Sequence, residues 1–259
     1  VLAYHKVTRF ELGGTWVPPR RFTAHIDAVL GAGYRFIDED GFISAIKGER
    51  ICAAKEVLLT FDDGYEELLD TALPELEQRG IPALIFLVSS FVGKDNRWEL
   101  FWPGRRFRHL DWREIGKLAA MGFSFGSHTR THRDLTRLSI EVVREELAVS
   151  RLEIEQRLGC EVKSLSYPFG RTNTAVSAAA AAAGYRAAFT MYPRHPNRSI
   201  DLFELRREGV YIVDTSASIR SKLGGGPFFW MEDLKGRAIN KFAVLTPMLK
   251  GMRSPGRGR

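Results

Sequence analysis

Short apolar runs alternate with longer amphipathic ones along almost the whole chain, and no other feature of the sequence limits its fold so strongly. "VLAYHKV" (1–7), "EVLLTF" (56–61), "PALIFLVSS" (82–90), "FSFGS" (123–127), "SLSYPFG" (164–170), "RAAFTMY" (186–192) and "GVYIV" (209–213) read as strands. Helical stretches lie between them. "RRFTAHIDAVLGAGY" stops near Gly31 or Gly33, and "YEELLDTALPELEQRG" closes on Gly80 with Pro74 as a kink or break. "DWREIGKLAAMG" has Asp111 as its N-cap. In "SIEVVREELAVSRLEIEQRLG", Ile140, Val143, Leu147, Ile154 and Leu158 share one stripe; Ser139 can cap this helix and Gly159 ends it. Six alanines, 178–183, form a further helix stopped by Gly184. Such alternation predicts a parallel sheet, closed or nearly closed into an α/β barrel. A barrel of this kind occupies 259 residues as one domain, here 1–245, followed by a basic tail over 246–259 that is expected to be disordered.

Charge narrows the partners. The formal net charge is +7, but Lys250, Arg253, Arg257 and Arg259 place more than half of the excess on that tail. No nucleic-acid motif accompanies it, so a solvated surface and a basic tail explain the charge, and no nucleic acid is expected as a partner. No apolar run reaches the length of a membrane span. Cys52 and Cys160 fit no metal or redox spacing and read as two buried free thiols. The chain opens on Val1 rather than methionine and enters a strand at once, as expected if an upstream part has been removed, so the compartment stays open between cytoplasm and cell envelope. Residues 93–110 follow neither period. Trp98, Phe101 and Trp102 beside Arg105 and Arg106 there read either as a sugar-stacking surface or as a loop that packs its aromatics on the barrel.

In a parallel barrel, chemistry collects at the carboxyl ends of the strands. "LLTFDDG" ends in Asp62 and Asp63, "FSFGSH" in His128, and "SLSYPFG" in Pro168, Phe169 and Gly170. His128 and His132 stand four residues apart, a spacing that aims two imidazoles at one point. Between them lie Thr129, Arg130 and Thr131, none of which can serve as the base that a zincin carries at this place. One aspartate of the pair can complete a two-histidine, one-carboxylate set, while the other stands by as base. Alone, "DDG" is a turn and "HTRTH" two loop histidines. Both motifs following β-rich runs in one chain make a site.

"TFDDG", "SHTRTH" and "YPFG", in this order and separation, resemble the signature motifs of the NodB-type polysaccharide deacetylases, carbohydrate esterase family 4. The resemblance runs from about Val1 to Asp214. It implies a distorted, seven-stranded (β/α) barrel and one divalent metal, commonly zinc. The implied reaction is hydrolysis of N-acetyl groups from an N-acetylated sugar polymer or oligomer. By that resemblance Asp62 is the general base, and Asp63, His128 and His132 are the metal ligands. The backbone N–H of Phe169 then helps to hold the oxyanion. A deacetylase of small glycoconjugates or non-sugar amides, and a non-catalytic carbohydrate-binding relative, remain as alternatives.

Two family features are absent. No arginine precedes Pro168, where Ser164, Leu165 and Ser166 stand, and no late "LxH" supplies the acid. Instead "AYHKV" resembles the "YHxV" of a circularly permuted branch, similar to biofilm poly-N-acetylglucosamine deacetylases, whose acid histidine comes from the first strand. "LRREGVY" resembles that branch's late arginine segment, which makes Arg207 a candidate partner for Asp62. Elimination also favours His5 as the acid. His128 and His132 are committed to metal, His25 lies in a helical stretch, His109 precedes a helix start, and His195 belongs to a proline-flanked loop and is the runner-up. A protonated His5 calls for a nearby carboxylate, with Asp214 as the candidate.

Overall fold

The computed structural model describes residues 1–11, 14–51, 55–96, 98, 106–191, 201–224 and 229–239. Its strands and helices follow in chain order as β1 (Leu2–Tyr4), β2 (Lys6–Val7), β3 (Trp16–Val17), α1 (Pro19–Gly31), β4 (Arg35–Ile37), α2 (Glu39–Ile46), β5 (Glu56–Phe61) and α3 (Leu73–Gln78). Then come β6 (Leu84–Leu87), α4 (Trp112–Ala120), β7 (Ser124–Ser127), α5 (Ile140–Leu158), β8 (Ser164–Ser166), α6 (Thr174–Ala182), β9 (Ala187–Met191), β10 (Leu205–Gly209) and α7 (Ser216–Gly224). A further helical stretch covers 229–239. The chain beyond 239, and so the boundary expected at 245, lies outside the described residues.

Seven strands close the barrel in the order β1-β10-β9-β8-β7-β6-β5, with β5 returning to β1, and every pairing is parallel. The distortion sits at one seam. The first half of β5 pairs with β4, Arg35 opposite Glu56 and Ile37 opposite Leu58, while its second half pairs with β1, Leu2 opposite Leu59 and Tyr4 opposite Phe61. One strand thus takes two partners along one edge.

Alternation along the strands divides inside from outside. Leu58, Leu84, Phe86, Ala187, Phe189 and Leu205 fill the lower interior, and Ile43 and Phe42 of α2 close it from below. Outward residues such as Val57, Leu59, Phe61 and Ile85 pack in the larger core beneath the helices. α4 carries a capping box, in which the Asp111 side chain accepts from the Glu114 N–H and the Glu114 side chain accepts from the Asp111 N–H. Pro74 falls in the first turn of α3, where its missing N–H costs nothing, after a separate 3-10 turn, Glu66–Asp70.

Four readings of the sequence need correction. The last barrel strand is Leu205–Gly209, not "GVYIV"; Val210 and Tyr211 are buried but follow the strand, so burial rather than a ladder explains their apolar character. "VLAYHKV" is two strands broken at His5, the second joining a separate pair, β2 with β3. Ser139 stands at the N-cap of α5, but its side chain makes no capping hydrogen bond; Gly159 does end the helix, at φ +67°. Cys160 is free but exposed, just past that helix end, and Cys52 lies outside the described residues.

Candidate active site

The carboxyl ends of β1, β5, β7 and β8, together with β10, bring Asp62, Asp63, His128, His132, Phe169, His5 and Arg207 to one mouth of the barrel. Asp63 follows β5 and is 2% exposed; His128 follows β7 at 1%, and His132 lies in the next loop at 9%. Asp63 Oδ1 stands 3.7 Å from His128 Nε2 and 3.5 Å from His132 Nε2. Those separations are too long for hydrogen bonds. They are close to the edge, roughly 3.3–3.5 Å, of a tetrahedron around an ion with ligands at about 2.0–2.1 Å. The donor chemistry agrees. His128 Nδ1 lies 2.7 Å from the Ser166 carbonyl, which can only accept, so the proton sits on Nδ1 and Nε2 presents its lone pair. Burial lowers the pKa of both histidines, helped at His132 by His128 and His5, and both imidazoles stay neutral. Among the described residues this is the group of three able to hold a metal ion, with donor atoms all within 4.8 Å of one another.

Beside it stands a second row. Arg207, fully buried, donates to both oxygens of Asp62, Nη1 to Oδ1 at 2.7 Å and Nη2 to Oδ2 at 2.8 Å. Its guanidinium also donates to Ser166 Oγ at 2.7 Å and Thr60 Oγ1 at 3.2 Å, and rests over the rings of Phe86 and Phe189. Ser166 is one of the residues standing where the family pattern has an arginine, so in this chain β10 brings a guanidinium to that neighbourhood. Burial pushes the Asp62 carboxyl up, but Arg207, with help from His128 and His5, outweighs it and holds the pKa well below the carboxylate range. His5 Nε2 lies 3.9 Å from Asp62 Oδ2. The carboxylate beside His5 is therefore Asp62. Asp214 is engaged elsewhere, accepting from Lys222 Nζ at 2.6 Å and the Tyr211 N–H at 2.9 Å and forming an ion pair with Lys235 Nζ at 2.5 Å.

Backbone strain collects here. Five described non-glycine residues have positive φ, and four of them, Asp63 (+69°), Thr129 (+67°), His132 (+58°) and Phe169 (+58°), lie in the site loops. Such conformations persist only where surroundings impose them. Thr129 Oγ1 accepts from the His132 N–H at 3.1 Å. The buried Glu146 of α5 accepts from the Thr131 N–H at 2.8 Å and from its hydroxyl, clasping the loop between the two histidines. Below Phe169, Gly170 sits at φ +62°, where a Cβ would come within 2.5 Å of the Met191 backbone N. That position admits no side chain.

Sequence reasoning missed Glu146 and His109. Glu146 was findable, since a charge on the buried stripe of Val143, Leu147, Ser150 and Ile154 needs a partner. His109 had no local signal. It is 2% exposed, its Nδ1 lies 2.7 Å from the Asp63 carbonyl, and its ring stacks on Tyr65 with centroids 4.9 Å apart. Trp98 stacks on His132 at 4.4 Å and 13°, and also meets Phe91 and His109, so this aromatic packs on the barrel. Phe101, Trp102, Arg105 and His195 lie outside the described residues. His25, bonded through its ring nitrogens to Tyr4 Oη (3.2 Å) and the Asp214 carbonyl (3.0 Å), belongs to the core.

A closed parallel barrel with a buried Asp-His-His set at its carboxyl mouth is the frame of a deacetylase-type hydrolase, and the sequence agrees. A model described as polysaccharide deacetylase matches residues 51–188, and the chain belongs to that family. It is 27% identical over 207 residues to the putative polysaccharide deacetylase YxkH of Bacillus subtilis (strain 168), covering 80% of this chain and 69% of that protein. In fold it is similar to the Streptococcus pyogenes deacetylase PplD (TM-score 0.73, 21% identity, 86% of this chain and 96% of that one). It is also similar to IcaB from Ammonifex degensii (TM-score 0.70, 24% identity, 85% and 92%). No helix among the described residues is long and apolar enough to cross a membrane.

Proposed function

We propose that this chain hydrolyses N-acetyl groups of an N-acetylated sugar polymer or oligomer, with one divalent cation, zinc by preference, held by Asp63, His128 and His132. The observation that carries this reading is the convergence of those three donors immediately beside the Arg207–Asp62–His5 row. When bound, such a cation supplies polarisation of the acetyl carbonyl and acidification of the attacking water.

The chain's own groups do the rest. Asp62 takes the proton of the attacking water. Each carboxylate oxygen has two lone pairs, so the two bonds from Arg207 orient it without exhausting its acceptor capacity. A carboxylate with so low a pKa is a weak base toward bulk water, a gap that the acidification a bound cation would supply would narrow. The Phe169 N–H helps to hold the oxyanion, a contribution of about 3 kcal/mol for one such donor. His5 hands a proton to the departing amine, which cannot leave as an anion. His5 and Arg207 reach the mouth from β1 and β10, neighbouring strands drawn from opposite ends of the described chain. That pairing supports a place in the circularly permuted branch.

Acetate release from chito-oligomers, measured with metal stripped and then with zinc restored, tests the proposal. Zinc-dependent release supports it, and comparison with small N-acetylated glycoconjugates separates polymer from small-molecule preference. A protein that binds zinc yet releases acetate from no N-acetylated glycan in a broad panel sinks it.

A further inference from the structure

We infer that His109 is a positioning residue of the metal site, holding Asp63 through its main chain and His132 through Trp98. The inference rests on the metal reading above and extends it to a residue outside the three signature motifs.

The argument begins with Asp63 itself. At φ +69° its backbone is in the left-handed region, so the direction of its carboxylate depends on what holds the peptide that follows. That peptide's carbonyl faces His109 Nδ1 at 2.7 Å, and because a carbonyl only accepts, Nδ1 carries the proton. The imidazole is in turn fixed. Its segment is tied to the Asp63 turn by two backbone bonds, Glu66 N–H to the Arg108 carbonyl and Leu110 N–H to the Gly64 carbonyl, both 2.9 Å. Its ring is stacked on Tyr65 at 4.9 Å and meets Trp98 at 5.2 Å. Trp98 lies nearly parallel to the His132 ring, 13° apart, and limits its rotation. One buried imidazole therefore braces two of the three metal donors without touching the metal position. Loss of a group that orients a ligand typically weakens metal binding by about 10–100-fold.

The test uses zinc alone, titrated against a chromophoric chelator, on the full chain and three variants. His109→Phe keeps the ring stack and deletes the donor. His109→Asn keeps a donor near the Nδ1 position, whereas His109→Gln moves it to the Nε2 position. The expected result is a zinc affinity at least about 10-fold weaker in His109→Phe, with the melting temperature of the metal-free protein within a few degrees of the parent. His109→Asn should recover to within about 3-fold, and His109→Gln should not. Parent-like zinc affinity in His109→Phe overturns the inference while leaving the metal reading intact. If His109→Phe fails to fold, the Asn and Gln variants decide, and equal affinities in those two overturn it. A parent protein that binds no zinc overturns both.

Discussion

Two buried carboxylates at opposite ends of the same barrel have opposite electrostatic fates. At the carboxyl mouth, Asp62 meets a bidentate arginine and its pKa is driven down; at the amino end, Glu39 of α2 is 5% exposed and its pKa is pushed up to about 7, by burial first, with Ser164 and Lys163 pulling it only part of the way back. The surroundings differ in kind. The amino end is filled by Leu58, Leu84, Phe86, Ala187, Phe189 and Leu205 above Ile43, whereas the mouth carries Thr60, Ser166 and Arg207 on β5, β8 and β10, with Asp62 just past the end of β5. The apolar end contributes burial free energy that the mouth cannot, since a charged site there contributes little net stability even when well paired. The mouth holds a charge in place for chemistry. The amino end does the reverse, its burial favouring the protonated form of Glu39.

Experiments can break or sharpen this contrast, beginning at the mouth. Asp63→Asn should lose zinc and turnover together. Asp62→Asn should keep zinc within a few fold while kcat falls by about 10²–10⁴. Equal loss of metal in both would show that the two aspartates do not divide their roles. Arg207→Met strands a buried carboxylate and should cost about 3–5 kcal/mol in urea unfolding. Arg207→Lys, which cannot bond in bidentate fashion, should restore only part of that stability; a neutral result for the methionine variant would mean that the pair is dispensable to folding.

His5→Ala should bind zinc normally and lose about 10²-fold or more in kcat. Its side chain is 21% exposed, so the unfolding midpoint should barely move. Near-parental turnover would remove His5 from the chemistry, and alongside a crippled His195→Ala it would move the acid to His195.

The smallest effect belongs to the amino end. Glu39 is protonated in both states below its ordinary value of 4.5; between 4.5 and about 7 only the unfolded chain releases the proton, and stability falls as pH rises. Above about 7 that loss is complete. Glu39→Gln removes this slope, so stability measured at pH 8 relative to pH 4.5 should improve over the parent by up to about 3 kcal/mol. Parallel pH curves for the two proteins would show that Glu39 does not titrate as its burial implies.

What could be read without tertiary information was whatever depends on neighbours along the chain. The limits of "EVLLTF", the Asp111 cap, the break at Pro74 and the Gly159 stop follow from period, capping and proline chemistry, all of them local. Motif order also pointed to Asp62, Asp63, His128 and His132, since each follows a strand whose end is legible. Tertiary structure alone decided the rest. The strand "LRREG" lacks the apolar mark of a strand because it carries charged residues into the site, so the apolar run "GVYIV" after it reads as the strand instead. Resemblance marks Arg207 as a candidate partner for Asp62, but the two are 145 positions apart, so their bidentate geometry, like the pairing of His5 with Asp62 rather than Asp214, arises only when β1, β5 and β10 close on one another. His109 and Glu146 reach the site by the same route. A buried polar group is defined by its partner, and period and capping say nothing about partners far away in the chain.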